Sequence, residues 1–387
     1  MIMIAPLGTQ PTYFVQSPVG VSTESAGRPL PRTICTPPLA ASRTEVKLFS
    51  SHLSYPLRIV HHVRVFGALY GSFLCGMTGC DSEPKLQGAI QGSPESTYKD
   101  PPPTFSTLSL TVNDHPLKLS TLYRPGPKPA ILFLHGFGSC KEDLHDLVYL
   151  PSLRDHTLIA YDAPGCGASE SHGPSSDLTI TFLVATAEAV LKQFHITTFY
   201  LIGHSTGALT GLMLAASLPP TQYQLLAFIN IEGTLSPENC FFPRSLYTDL
   251  VKSSPSSTPE DDLQKLIAHV HSTPGYSHAL YASLLPSRVR PEAVRPIVTS
   301  TVELSWKNLL GRFLRLSCPL MYLFGDQNRE VSFLSQLETK GVELAQIPTS
   351  GHFPMYSNPA KMSRRIEGFF RDCTYAGSSS SGSGGSF

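Results

Sequence analysis

The stretch Phe199-Tyr200-Leu201-Ile202-Gly203-His204-Ser205-Thr206-Gly207-Ala208 decides how the rest of the chain is read. Residues 199–202 form a short apolar run of the kind that makes a strand buried on both faces. A helical pattern runs from Ala208 to Leu218. Between them, Gly203-His204-Ser205-Thr206-Gly207 is a G-x-S-x-G pentapeptide. A sharp strand-to-helix turn at that place lifts a serine hydroxyl above the edge of a sheet, and the two glycines give the turn room. The pentapeptide alone arises by chance. Between a strand and a helix it predicts a nucleophile at Ser205.

Working outward, five more short aliphatic runs occur at residues 130–134, 157–161, 225–231, 320–324 and 342–347, each followed by a Gly-rich or polar loop. Helical patterns lie among them at 179–194 and 360–371. This alternation predicts an α/β fold, a mostly parallel doubly wound sheet with crossover helices. Residues 107–112 and 117–122 alternate around Asn113-Asp114 and read as a leading hairpin. Between Gly233 and Ser317 no strand pattern is evident, only helix-like pieces at 260–270 and 293–310 broken by prolines. A long insertion there predicts a helical cap, inserted after the sixth strand and lying over the carboxyl ends of the strands.

A serine nucleophile needs a base within hydrogen-bond reach and an acid to orient that base. His352, in Ser350-Gly351-His352-Phe353-Pro354, follows the last predicted strand and is the expected base. Asp326, in Phe324-Gly325-Asp326-Gln327, ends the strand before it and is the expected acid. Glu232, in Asn230-Ile231-Glu232-Gly233, ends the strand after the nucleophile helix and is the alternative acid. Asp326 is favoured because an acid after Gly at a strand end, closely followed by the histidine, is the commoner arrangement. An oxyanion formed on attack must meet N–H donors. The backbone N–H groups of Thr206 and of Phe137, in His135-Gly136-Phe137-Gly138, are the expected pair.

With Asp162-Ala163-Pro164-Gly165-Cys166-Gly167-Ala168-Ser169 added as a structural turn, the stretch 130–371 resembles a lidded serine hydrolase of the α/β-hydrolase fold, esterase- or lipase-like. The resemblance implies cleavage of an ester or similar acyl bond through a covalent intermediate on Ser205, with water as the only co-reactant and no cofactor. Lactone and carbon–carbon bond hydrolases share the same triad and stay open as the alternative, as does a non-catalytic binding protein of the same fold. Epoxide hydrolases and haloalkane dehalogenases use an aspartate where this chain has Ser205. Phe241, Phe242, Tyr247 and Trp306 are the aromatic candidates for an apolar substrate pocket under the cap.

The bulk composition narrows the field. Lys+Arg and Asp+Glu are each 29 in 387 residues, which gives no electrostatic reason to expect a nucleic-acid partner. None of the eight cysteines forms a CxxC pair or sits beside histidines at zinc spacing, so no metal site is expected. The organisation read from the chain is an N-terminal extension (1–62, disordered or not normally translated), a signal-like apolar segment (63–80) and a Pro-rich linker (81–104). A hydrolase core (105–232 and 317–374), a helical cap (233–316) and a flexible Gly/Ser tail (375–387) follow. Met77-Thr78-Gly79-Cys80 resembles a lipoprotein signal, which implies export and membrane anchoring through a lipidated Cys80; an organellar transit segment and a cytoplasmic protein are the rival readings. Oligomeric state is not legible in the sequence.

Overall fold

A computed structural model describes residues 102–171 and 177–379. The expectations for residues 1–62, for 63–80 with Cys80, for nearly all of the linker and for the last residues of the tail lie outside this range.

Eight strands form one sheet: β1 (Thr104–Val112), β2 (His115–Arg124), β3 (Lys128–Leu134), β4 (His156–Tyr161), β5 (Thr198–His204), β6 (Gln224–Ile231), β7 (Leu320–Gly325) and β8 (Glu343–Ile347). Their order is β1-β2-β4-β3-β5-β6-β7-β8. β1 pairs with β2, and β2 with β4, antiparallel; every other pairing is parallel. The hairpin closes through Asn113 and Asp114, both at positive φ (49° and 65°), the geometry whose twist suits a two-residue connection. The parallel strands read as unbroken apolar runs because both of their faces are covered. In β3, Ile131 and Phe133 enter one core cluster, while Ala130, Leu132 and Leu134 enter the other, on the opposite face.

Helices α1 (Ile180–Gln193) and α2 (Thr206–Ser217) contribute to the second cluster through Leu183, Val190, Leu209 and Leu212. The Thr179 hydroxyl caps α1 by accepting the Phe182 N–H. Between β6 and β7 the chain makes five α-helices, α3 (Phe241–Tyr247), α4 (Pro259–His271), α5 (Tyr276–Arg288), α6 (Pro291–Ser305) and α7 (Leu309–Phe313), with a π-helical turn (Thr248–Lys252) after α3. The two helix-like pieces expected here correspond to α4 and to α6 with α7. Asn308, in a left-handed conformation (φ 50°), separates the last two and caps α7 on the Gly311 N–H. Helix α5 was hidden in the sequence by Pro286, which sits in its last turn. After β7 come α8 (Leu334–Thr339), α9 (Pro354–Ser357) and α10 (Pro359–Ser379). Helix α10 runs five residues into the stretch expected to be tail. It is anchored by Ile366, Phe369 and Phe370 in the first cluster, and Thr374–Ser379 continue its last turns. No described helix is long and apolar enough to cross a membrane.

Candidate active site

Ser205 stands where β5 ends and α2 begins, with φ 51° and ψ −118°, a backbone region that side-chain-bearing residues rarely occupy. The turn is that tight because its glycines are pressed on both sides. A Cβ on Gly207 would lie 2.2 Å from the Leu134 carbonyl oxygen, and one on Gly203 would lie 2.6 Å from Ala208 Cα. His352 follows β8, and its Nε2 lies 2.9 Å from Ser205 Oγ. For Nε2 to accept that hydroxyl proton, Nδ1 must carry the ring's own proton.

Nδ1 faces Glu232. The Glu232 Oε2 atom is 3.7 Å away, a separation of the kind that shortens once substrate closes such a site. Glu232 directly follows β6 in a positive-φ conformation (52°) and is buried. Its carboxylate is fixed from below, Oε1 accepting the Gly325 N–H at 2.6 Å and Oε2 the Asn328 amide at 3.0 Å. Asp326, the expected acid, makes other contacts in this structure, and it is Glu232, the alternative acid, that faces the ring. Its Oδ2 accepts the Thr349 N–H at 2.8 Å and its Oδ1 the Ser350 N–H at 3.1 Å. Among the described residues, no hydrogen bond or ion pair joins Asp326 to His352. Asp326 therefore staples the end of β7 to the loop that carries the histidine. Both acids sit at the carboxyl ends of neighbouring strands, so which one meets the imidazole depends on how the histidine loop closes.

The loop expected to supply an oxyanion donor follows β3 and lies against Ser205. A Cβ on Gly136 would be 3.1 Å from Ser205 Cβ. The Gly136 carbonyl is held by the Ser139 N–H at 3.0 Å and by His135 Nδ1 at 2.7 Å. Since His135 Nε2 accepts the Ala163 N–H at 2.8 Å, Nδ1 is its protonated nitrogen. Gly136 C=O and Phe137 N–H belong to one peptide plane and point in opposite directions. Fixing the carbonyl therefore fixes the direction of the Phe137 N–H, and Phe137 borders the same cavity as Ser205. The Thr206 N–H, at the first position of α2, is one of the donors a helix leaves without an intrahelical partner.

Two buried polar groups complete the frame. His204 places Nε2 2.8 Å from the His352 carbonyl oxygen, tying the elbow to the histidine loop, and burial pushes its pKa down to about 3. Asp162, after β4, accepts the Lys141 N–H at 2.8 Å, the Lys141 ammonium at 3.0 Å and the Ala168 N–H at 2.9 Å, which shapes the glycine turn. Cys140, Glu142 and Asp162 bring potential ligand atoms within 4.8 Å of one another, but the Lys141 ammonium already bridges the two carboxylates there.

A cavity of about 290 Å³ opens beside Ser205 and His352. Ser205, Thr206, His352 and Phe137 line its floor. Phe241 and Phe242 of α3, Leu266 and Val270 of α4, Tyr281 of α5, and Ile297 and Val298 of α6 line its walls. Among the described residues, no Asp, Glu, Lys or Arg borders it. Of the four expected pocket aromatics, Phe241 and Phe242 are in the wall. Tyr247 packs against the core cluster instead, and Trp306 is exposed with the Arg244 guanidinium 5.3 Å from its ring. His278, Tyr281 and the three residues Thr234, Thr273 and Thr301 also border the cavity. Sequence reasoning passed over them because the insertion carries no motif.

The profile described as "Alpha/beta hydrolase family" matches residues 131–365. A Mycoplasma genitalium protein provisionally named esterase/lipase 1 is 22% identical over 237 residues, 57% of this chain and 85% of that protein. The sn-1-specific diacylglycerol lipase ABHD11 of Danio rerio is 25% identical over 204 residues, 50% of this chain and 61% of its own length. A thermophilic esterase from Thermogutta terrifontis superposes with a TM-score of 0.54 at 17% identity, over 69% of this chain and 99% of the esterase.

Proposed function

The chain belongs to the alpha/beta hydrolase family, with esterases and lipases as its relatives, and from that premise we propose that it is a serine hydrolase cleaving an uncharged carboxylic ester. The observation that carries this reading is the 2.9 Å contact between Ser205 Oγ and His352 Nε2, with Glu232 behind the ring. Ser205 Oγ attacks the ester carbonyl carbon and passes its proton to His352 Nε2. The carbonyl oxygen becomes an oxyanion between the N–H groups of Phe137 and Thr206. Collapse breaks the bond to the alcohol oxygen, which leaves with the proton from His352, and the acyl group stays on Ser205. Water then repeats the sequence with His352 as base and frees the acid. Glu232 keeps the imidazole in the required tautomer and stabilises the imidazolium formed in each half.

The cavity supports the substrate class. A wall without charged side chains gives no partner to a charged acyl chain, and burying such a chain unpaired would be costly. About 290 Å³ is at the low end of small-molecule sites, which favours short to medium acyl groups over two-chain lipids.

Fluorophosphonate labelling and p-nitrophenyl butyrate hydrolysis test this reading. The parent protein should label and turn over, Ser205→Ala should do neither, and His352→Ala should lose nearly all turnover. Glu232→Gln should lower kcat by about 10³–10⁴, the scale on which a misoriented histidine acts. Asp326→Asn should cost less than about tenfold in kcat and appear mainly as a lower Tm. If Asp326→Asn is the more damaging of the two to kcat, the assignment of the acid is wrong; if the folded parent does not label, the enzymatic reading is wrong.

A further inference from the structure

Phe137 sits at the joint of two peptide planes: its N–H lies in the first, and how firmly residue 137 is held depends on both. The plane before it is held by His135 and the Ser139 N–H, as described. The plane after it runs from the Phe137 carbonyl to the Gly138 N–H. Gly138 is at positive φ (75°), and with glycine on both sides of Phe137 little steric resistance prevents this second plane from rotating. A hydrogen bond holds it. The Phe137 carbonyl accepts a short hydrogen bond from the Tyr281 hydroxyl. Tyr281 comes from α5, inside the insertion and far from any motif.

The surroundings of Tyr281 leave it little freedom. It is buried, and its ring stacks on Phe353, next to the base, with centroids 4.4 Å apart. A Cβ on Gly138 would lie 2.4 Å from the Tyr281 hydroxyl oxygen and 2.5 Å from Leu285 Cδ2, so α5 rests directly on the oxyanion loop. The end of α5 is bolted to the sheet domain. Arg288 Nη1 donates to both carboxylate oxygens of Asp143 (3.1 and 2.9 Å) and to the Tyr356 hydroxyl (3.1 Å). The next residues join the glycine turn, with Gly167 N–H to Arg288 O at 2.8 Å and Arg290 N–H to Gly165 O at 2.9 Å.

Resting on the serine-hydrolase reading above, we propose that Tyr281 is a positioning residue for the oxyanion hole. It acts through the Phe137 carbonyl and not on substrate, and it makes helix α5 part of the catalytic apparatus. With the first plane held through the Gly136 carbonyl, the hydroxyl anchors residue 137 from its other side, so that the Phe137 N–H keeps its direction as the oxyanion forms. Losing it should therefore weaken the transition state more than the ground state.

Tyr281→Phe keeps the ring and its stacking and deletes only the donor. With p-nitrophenyl butyrate, kcat should fall about tenfold, less than the loss of a donor itself, while KM stays within about twofold. An alkyl trifluoromethyl ketone, which adds to Ser205 Oγ and turns its own carbonyl oxygen into an oxyanion, should bind weaker by the same factor as kcat. The matching methyl ketone, which binds unreacted, should be unaffected. Gly138→Ala, whose new methyl must displace the Tyr281 hydroxyl while leaving residue 281 intact, should give the same kcat-weighted loss and serves should Tyr281→Phe not fold. Unchanged kcat in a folded variant overturns the proposal. So does a loss shared equally by KM and the methyl ketone, which would make Tyr281 a pocket residue. Fluorophosphonate labelling of the parent separates the two levels: a parent that labels while Tyr281→Phe matches it in kcat sinks this inference alone, whereas an unlabelled parent removes the reading beneath it.

Discussion

Ser205, Glu232 and Thr349 each follow a strand that carries the site, and each holds a positive φ (51°, 52° and 54°). Such conformations cost about 1–3 kcal/mol apiece and persist where the surroundings dictate them. Here the surroundings are the sheet beneath and the hydrogen bonds of Asp326, Asn328 and the Gly325 N–H. His204 carries a different burden. Unfolded, its ring takes up a proton near the ordinary histidine value of 6.5; folded, burial delays this to about pH 3. Between those values the unfolded chain binds more protons, so stability falls as the pH drops from about 6.5 toward 3. Urea unfolding at pH 7 and pH 5 should show the parent losing roughly 2 kcal/mol on this account, and His204→Gln should lack that part of the loss. An identical pH slope in the two proteins would show that His204 is not its source. At this scale the proposed nucleophile, Ser205, was the most legible residue, because its strand, turn and helix are contiguous. The choice between the two candidate acids was the least legible. Glu232 and Asp326 each end a strand beside a glycine, and what separates them is the Asp326 carboxylate binding the N–H groups of residues 349 and 350, a contact between β7 and the loop after β8. A buried acid directly after an apolar strand, in Asn230-Ile231-Glu232-Gly233, was the available signal.

The strands and the longer helices could be read because their periodicity is enforced by burial on known faces. The insertion could not be read as well, because its helices are short, proline-containing and packed on one another. Its fixed point is a charged cluster. Asp262, near the start of α4, is buried and accepts Arg295 Nε at 2.8 Å and Nη2 at 2.9 Å, along with the Ser257 hydroxyl at 2.5 Å. Arg295 also reaches the Leu250 carbonyl at 2.7 Å and the Ser254 carbonyl at 3.2 Å, so one guanidinium ties α4, α6 and the segment between α3 and α4 together. Arg295→Ala leaves the Asp262 carboxylate buried without its counter-charge, and urea unfolding should show a loss of about 3 kcal/mol. Arg295→Lys should recover less than half of that, because an ammonium cannot reproduce the planar fork. Full recovery by lysine would mean that charge alone matters here.

Across the molecule, the candidate catalytic groups converge from the carboxyl ends of β3, β5, β6 and β8, with Asp162 and Asp326 bracing from β4 and β7. This follows from strand order: in an open parallel sheet, that edge is where loops from non-adjacent segments meet. The family match begins at residue 131 and ends at 365, well beyond residue 90. Deleting residues 1–90 should therefore leave kcat for p-nitrophenyl butyrate within about twofold, measured on the purified truncated protein. A large loss would mean that the deleted segment reaches the site. The contact between Tyr281 and the Phe137 carbonyl also bears on how this protein could be re-engineered. Exchanging the whole insertion for that of a relative, to import another specificity, would leave the oxyanion loop without its outer brace. A working chimera should instead retain the chain from Tyr276 through Arg290 together with the Asp262–Arg295 pair, making α3 the transplantable wall and α5 part of the host.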